Sequence, residues 1–193
     1  EHAISTENVF TARIAAFEQR YPDAESRLRF WEDVEDRVAE LPGVRAASLT
    51  TDLPLTGAGF SRFSLDGESY EGDRDLPFGR FSAVTPSFRA TFDVDVVQGR
   101  WLEETDGLDA PPVVVVNEAF TDRYFPDGQA LGRRIRMGGM GSENDWREIV
   151  GVVPNHRMEG LGNNDPTAVD MPGFYIPLAQ WDVRFISIAA RVD

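Results

Sequence analysis

The chain has 193 residues and a net charge of −14, with 33 acidic residues against 19 basic ones. A surface this acidic repels phosphate backbones and anionic bilayers, which excludes nucleic acid as a partner. The 41% hydrophobic fraction excludes a disordered chain, and the lack of cysteine excludes a disulfide framework and thiol chemistry.

In chain order, residues 9–17 alternate Phe10, Ala12, Ile14 and Ala16 with Thr11, Arg13 and Ala15, which predicts a first strand. Asp23 is the expected N-cap of a helix whose Leu28, Trp31, Val34, Val38 and Leu41 share one face, with Glu32, Asp36 and Glu40 opposite. Pro42-Gly43 stops it, and residues 44–50 form a second strand, completing a strand–helix–strand unit. A loop with Pro54, Gly57 and Gly59 follows, then short strands at 63–65 and 81–84. Thr85-Pro86 reads as an N-cap followed by proline at the first helical position, opening a short helix through Phe92. Strands are expected at 94–97 and 113–116. Asn117 then caps a helix carrying Phe120, Tyr124 and Phe125, which ends at Pro126-Asp127-Gly128. Strands at 134–137, 147–153, 174–176 and 185–192 complete the pattern. Two loops stand out, the glycine-rich 138–144 and the polar 155–173. Few helices and many strands without regular alternation predict an α+β fold.

Residues suited to catalysis are scarce. Of the two histidines, His2 lies at the frayed start and His156 in a loop without the spacing of a metal or catalytic partner. Glu103, Glu104, Asp106 and Asp109 form the densest acidic cluster, and they lack the EF-hand pattern and read as a solvated turn. The Gly138-Gly139-Met140-Gly141-Ser142 run lacks the Lys-Ser/Thr ending of a phosphate-binding loop and reads as a hairpin tip. There is no GxSxG elbow. Trp31, Phe120 and Tyr124 fall at core-facing positions. The expectation is a domain with no enzymatic activity, no cofactor and no metal. No apolar run approaches the ~20 residues that cross a bilayer, and there is no signal peptide. Composition leaves open a cytosolic protein or an extramembrane piece of a larger one.

An ordered series of short segments carries more information. Leu41-Pro42-Gly43-Val44 precedes Leu53-Pro54-Leu55, then Val84-Thr85-Pro86 and Gly99-Arg100. Val116-Asn117-Glu118-Ala119-Phe120 leads to Tyr124-Phe125-Pro126. Leu131-Gly132-Arg133 precedes Ile149-Val150-Gly151-Val152-Val153. Glu159-Gly160-Leu161 and Tyr175-Ile176-Pro177-Leu178 close the set. The series resembles the periplasmic core domain of MacB-like ABC transporter permeases, the FtsX-like permease group, over nearly the whole chain.

The resemblance implies a porter-like subdomain of strand–helix–strand units into which a smaller mixed α/β subdomain, called Sabre, is inserted. The porter-like part would take residues 1–58 and 162–193, and the insert 59–161. It implies an extracytoplasmic domain that couples ATP-driven transmembrane motion to a periplasmic substrate or partner, at the outer face of the cell membrane. The implied partners are a second permease chain, a cytoplasmic ATPase reached through membrane helices, and a periplasmic adaptor or substrate protein. The alternatives are a ligand-binding or sensor domain without transport and, more weakly, a periplasmic hydrolase built on acidic residues. Candidate partner contacts are Leu53, Pro54, Leu55, Phe60 and Met140, in loops that offer apolar surface. Relatives continue past this point with another helix and strand. The chain is therefore expected to be a piece of a longer one, with an apolar patch left near its ends beside the strand at 185–192.

Overall fold

The computed structural model describes residues 4–160, 162 and 170–193. His2, Leu161 and positions 163–169 of the polar loop lie outside the described residues.

The first unit follows the sequence pattern. Strand β1 (Val9–Ala15) leads to helix α1 (Ala24–Ala39) and strand β2 (Val44–Thr50). Asp23 caps α1 in a reciprocal box, accepting from Ser26 N at 2.7 Å while its own backbone N–H donates to Ser26 Oγ at 3.3 Å. The acidic N-cap sits where the helix dipole favours negative charge. β1 ends at Ala15, two residues earlier than the alternation suggests, because Ala16 turns inward to the core while Phe17 is left exposed.

The remaining elements are β3 (Gly59–Leu65), β4 (Phe78–Val84), α2 (Phe88–Phe92), β5 (Gln98–Gly99), β6 (Val113–Asn117), α3 (Glu118–Tyr124), β7 (Arg134–Met137), β8 (Arg147–Val153), β9 (Gly173–Pro177) and β10 (Phe185–Val192). The mixed α+β composition agrees with the expectation. Two local expectations are corrected. Helix α2 starts at Phe88 with Ser87 at its N-cap, because Thr85 is held back by the Leu49 N–H, which donates to Thr85 Oγ1 at 2.9 Å. Residues 94–97 are not a strand. Val94 is buried against α2, and Val97 N donates to Val152 O just before the short β5.

β10 lies between β1 and β2, antiparallel to both, so β1 and β2 run parallel and α1 is their crossover. α1 packs on the face that carries Leu49 and Ile186, and α2 on the face that carries Ser48 and Ala189. With both faces covered, Ser48, Thr50 and Ser187 are buried beside Ala189. Both faces of β10 are thus covered along Ile186–Ala189, since α2 closes the side opposite α1. Apolar surface remains at Phe10 of the edge strand β1 and at Phe185, where β10 begins, both of which are exposed.

Elsewhere the pairings close a ring in which β4 joins β3, β3 joins β7, β7 joins β8, β8 joins β6, β6 joins β9 and β9 returns to β4. Closure removes exposed strand edges. Thr50↔Val84 links β2 to this ring. Alternate residues of β6 divide between two clusters, Val114 and Val116 joining Phe63, Ile135 and Phe174, and Val113 and Val115 joining Phe88, Trp101 and Tyr175. This explains a four-valine run buried throughout, as a strand covered on both faces reads. Phe120 of α3 stacks on Phe63 at 5.0 Å. Asn117 caps α3 as expected, and its Oδ1 also accepts from Gly173 N at 2.9 Å, which ties α3 to β9. Gly151 must be glycine for space, since a Cβ there would lie 1.9 Å from Arg100 O.

Candidate functional site: an acidic cleft beside the first helix

A concavity that carries several ionisable groups lies where α1, the turn after β4 and the loop at 103–108 meet. It holds about 370 Å³. Leu28, Trp31, Leu49 and Leu178 supply apolar walls, and Glu32, Glu35, Asp36, Glu103 and Glu104 bring carboxylates to it. Helical spacing explains the α1 contribution, because Trp31 and Glu35 are four residues apart and lie on one face.

Glu35 is the unusual member. Burial pushes its carboxyl up to about 7, against the hydrogen bonds from Ser87 and Thr85, and the nearby Glu104 and Asp36 raise it further. Ser87 Oγ donates to Glu35 Oε1, and Ser87 and Thr85 hydroxyls lie 3.0 Å apart. Since Thr85 also engages the backbone of Leu49 in β2, one short chain of side chains connects α1, β2 and the start of α2. Glu32 is also raised, first by burial and then by Asp36 and Glu104.

The acidic cluster at 103–109 is corrected in part. Asp106 is buried, and its carboxylate accepts from both terminal nitrogens of Arg100 at 2.7 and 2.8 Å and from Glu103 N at 2.8 Å. It holds the loop that presents Glu103 and Glu104. His156 lies in a loop, as expected, and is buried there, in a structural position and not at the surface. Its Nε2 pairs with the Tyr175 hydroxyl, and burial pushes its pKa down to about 4 despite the Pro154 carbonyl. The same burial pushes the Tyr175 phenol up. Trp31, Phe120 and Tyr124 pack as expected, with Tyr124 Oη bridging to the backbone of Phe78.

The candidate contact residues fall in two places. Leu53, Pro54 and Leu55 are half-buried in a loop that lies against Met158 and Gly160, with Leu53 packed on the α2-side cluster. Leu55 adopts φ +67°, within the left-handed region that an L side chain rarely takes. Phe60 and Met140 are 51% and 49% exposed, at the same end of the β3–β7 pair. The cleft itself unites none of these five residues. Sequence reading missed Glu35, although a carboxylate four residues after Trp31, at the border of the apolar stripe, was its available signal. Among the described residues, no group of histidine, aspartate and glutamate side chains has the arrangement to hold a metal ion. No helix among the described residues is long and apolar enough to cross a membrane.

The sequence model of the MacB-like periplasmic core domain matches residues 1–193. An uncharacterized ABC transporter permease, YvrN of Bacillus subtilis (strain 168), is 33% identical over 108 residues, which is 55% of this chain and 24% of that protein. The chain thus spans about a quarter of that relative's length. Among solved structures, the periplasmic region of MacB from Actinobacillus actinomycetemcomitans superposes with a TM-score of 0.61 at 15% identity, covering 99% of this chain and 77% of that one. The extracellular domain of the noncanonic ABC-type transporter YknZ from Gram-positive bacteria gives 0.59 at 12% identity, covering 96% and 84%. A domain of a permease from Porphyromonas gingivalis gives 0.54 at 19% identity, covering 83% and 67%. These structures share the fold, and the match along the full chain gives the family: the chain belongs to the MacB-like periplasmic core domain family.

Proposed function

We propose that this domain stands at the extracytoplasmic face of the cell membrane as part of an ABC transporter permease. There it couples ATP-driven motion of membrane helices to a periplasmic substrate or partner protein, without catalysis of its own. The observation that carries this reading is the family match over residues 1–193. In this reading two permease chains act together and a cytoplasmic ATPase drives them. The sheet β1–β10–β2 with α1 serves as the porter-like part, and β3, β4, β6, β7 and β8, within residues 59–161, serve as the inserted part, whose ring is completed by β9 from the returning segment. The two are joined through the Thr50↔Val84 pair, the Glu35–Ser87 and Thr85–Leu49 contacts and two apolar clusters that run across both, so in this reading the domain moves and transmits force as one body.

The test is a distance measurement in the reconstituted full-length permease with its ATPase. A spin label at Glu68→Cys, on an exposed turn, reports the separation of the two domains. The expected outcome is a distance distribution that differs between nucleotide-free and ATP-trapped states. An identical distribution in both states contradicts coupling. It would favour the second reading, a ligand-binding domain without transport, which the acidic cleft supports by its apolar walls and convergent carboxylates.

A further inference from the structure

The strongest unassigned feature is the outward face of β4, β3 and β7. Cross-strand partners are Phe60↔Arg80, Arg62↔Phe78 and Ser64↔Arg136. Residues directly opposite one another share a face, as do residues two apart along a strand. One face therefore interleaves rings and guanidinium groups. Phe60 and Phe78 lie 5.4 Å apart, with Arg80 5.8 Å from the Phe60 ring and Arg123 of α3 5.3 Å from the Phe78 ring. Trp146, just before β8, lies 4.8 Å from Arg136 and 5.9 Å from Arg134 of β7. The alternate residues Phe63, Leu65 and Ile135 point into the ring and are buried. This is the solvent side, where Phe60 is half exposed.

Charge on this face is only partly compensated. Arg80 pairs with Glu159 and Arg134 with Asp66. Among the described residues, Arg62, Arg123 and Arg136 make no ion pair. A basic stripe of this kind stands out on a chain of net charge −14. Stacking on Trp146 restrains the Arg136 guanidinium and leaves in-plane N–H groups to grip a carboxylate, and Arg62 is held by one Nη donating to the Leu76 carbonyl at 3.2 Å, with its other N–H groups left to do the same.

We propose that this face docks an acidic polypeptide segment of another protein, one whose carboxylates meet Arg62 and Arg136 and whose apolar side chains cover Phe60. The charge of the rest of the domain decides against the other anionic partners. A phosphate polymer or an anionic bilayer extends past the stripe and meets acidic surface, and a second copy brings the same net negative charge. A short segment touches the stripe alone. The inference stands on this face and does not depend on the transport reading.

The experiment selects short random peptides by display on the purified chain and compares it with an Arg62→Glu/Arg136→Glu variant. Binding of the enriched peptide, carrying a fluorophore, is read by its anisotropy, and far-ultraviolet circular dichroism confirms the fold. The enriched sequences should be net acidic with aromatic or aliphatic residues. Their affinity should fall at least ~10-fold in the double variant, and several-fold between about 50 and about 300 mM salt, as screening of exposed charges requires. If the double variant does not fold, Phe60→Ser with Arg62→Gln is expected to weaken binding in the same direction. No enrichment, enrichment of uncharged sequences or undiminished binding by the variants overturns the proposal. So does binding of phosphatidylglycerol vesicles in place of peptides, or self-association through this face in sedimentation, since each gives the face a different occupant.

Discussion

At the residue scale, two buried titratable groups act in opposite directions on stability. Glu35 holds a proton in the folded state up to about pH 7, whereas its ordinary value is 4.5. Between those values folding takes up a proton, so this group lowers stability as pH rises through the window and does so fully above it. His156 has a folded value of about 4 against 6.5. Its neutral, Tyr175-bonded form contributes fully above 6.5, and that contribution is lost as pH falls toward 4. The windows overlap and the slopes oppose each other. Glu35→Gln keeps an acceptor for Ser87 and removes one slope. It is expected to stabilise the chain at pH 8, by about 3 kcal/mol at most, and to change little near pH 4.5. Urea unfolding across that range should also show the variant gaining stability from pH 4.5 to 6.5, the His156 contribution unmasked. Neither group announces its environment in the sequence. Glu35 lies one position from the helix stripe, and His156 sits in a segment that reads as loop until Tyr175, nineteen residues later, is brought against it.

At the element scale, the devices with purely local causes were legible. The Asp23 cap, the Asn117 cap and the strands at 44–50, 134–137, 147–153 and 185–192 depend on neighbours in sequence, and the structure has them at those positions. The helix before Pro42-Gly43 ends earlier than expected, at Ala39 with Glu40 as C-cap, so Leu41 leaves the apolar face and is 53% exposed. The other failures occur where a tertiary contact overrides the local signal. Thr85 has the composition of an N-cap, yet its hydroxyl serves the β2 backbone, so α2 starts later. Val94 and Val96 have strand-like spacing, yet they pack on α2 and the chain joins β8 only at β5. Asn117 combines both kinds of cause. Its side chain accepts from Phe120 N and Gly173 N and donates to Met171 O at 2.9 Å, all while fully buried. Asn117→Ala is expected to cost about 2–4 kcal/mol, since it removes the cap and leaves a strand amide and a carbonyl unpaired. Chemical denaturation measures this. Asn117→Asp keeps the acceptor for Phe120 N and Gly173 N but sets a buried carboxyl oxygen against the Met171 carbonyl, so it should recover stability only at low pH, where that oxygen is protonated and can donate.

At the scale of the whole molecule, the family was legible as an ordered set of short segments, each a folding device of modest specificity. The α+β class followed from element count. The closure of the ring was not legible, because β9 joins β4 and β6 across long sequence separations and no local pattern encodes a partner. The faces most relevant to partners share this property. The acidic cleft is assembled from α1 and a loop some seventy residues away, and the arginine–aromatic stripe from three strands whose register alone aligns it.

The central claim, an extracytoplasmic permease domain, is tested most directly by topology. Because the chain has no cysteine, a single Met140→Cys substitution on an exposed turn introduces one thiol into it. The full-length protein in intact cells is treated with a membrane-impermeant maleimide, with the unsubstituted protein as the control for thiols elsewhere. The account predicts labelling of the variant before lysis, above the control. Labelling that appears only after the membrane is broken would contradict it.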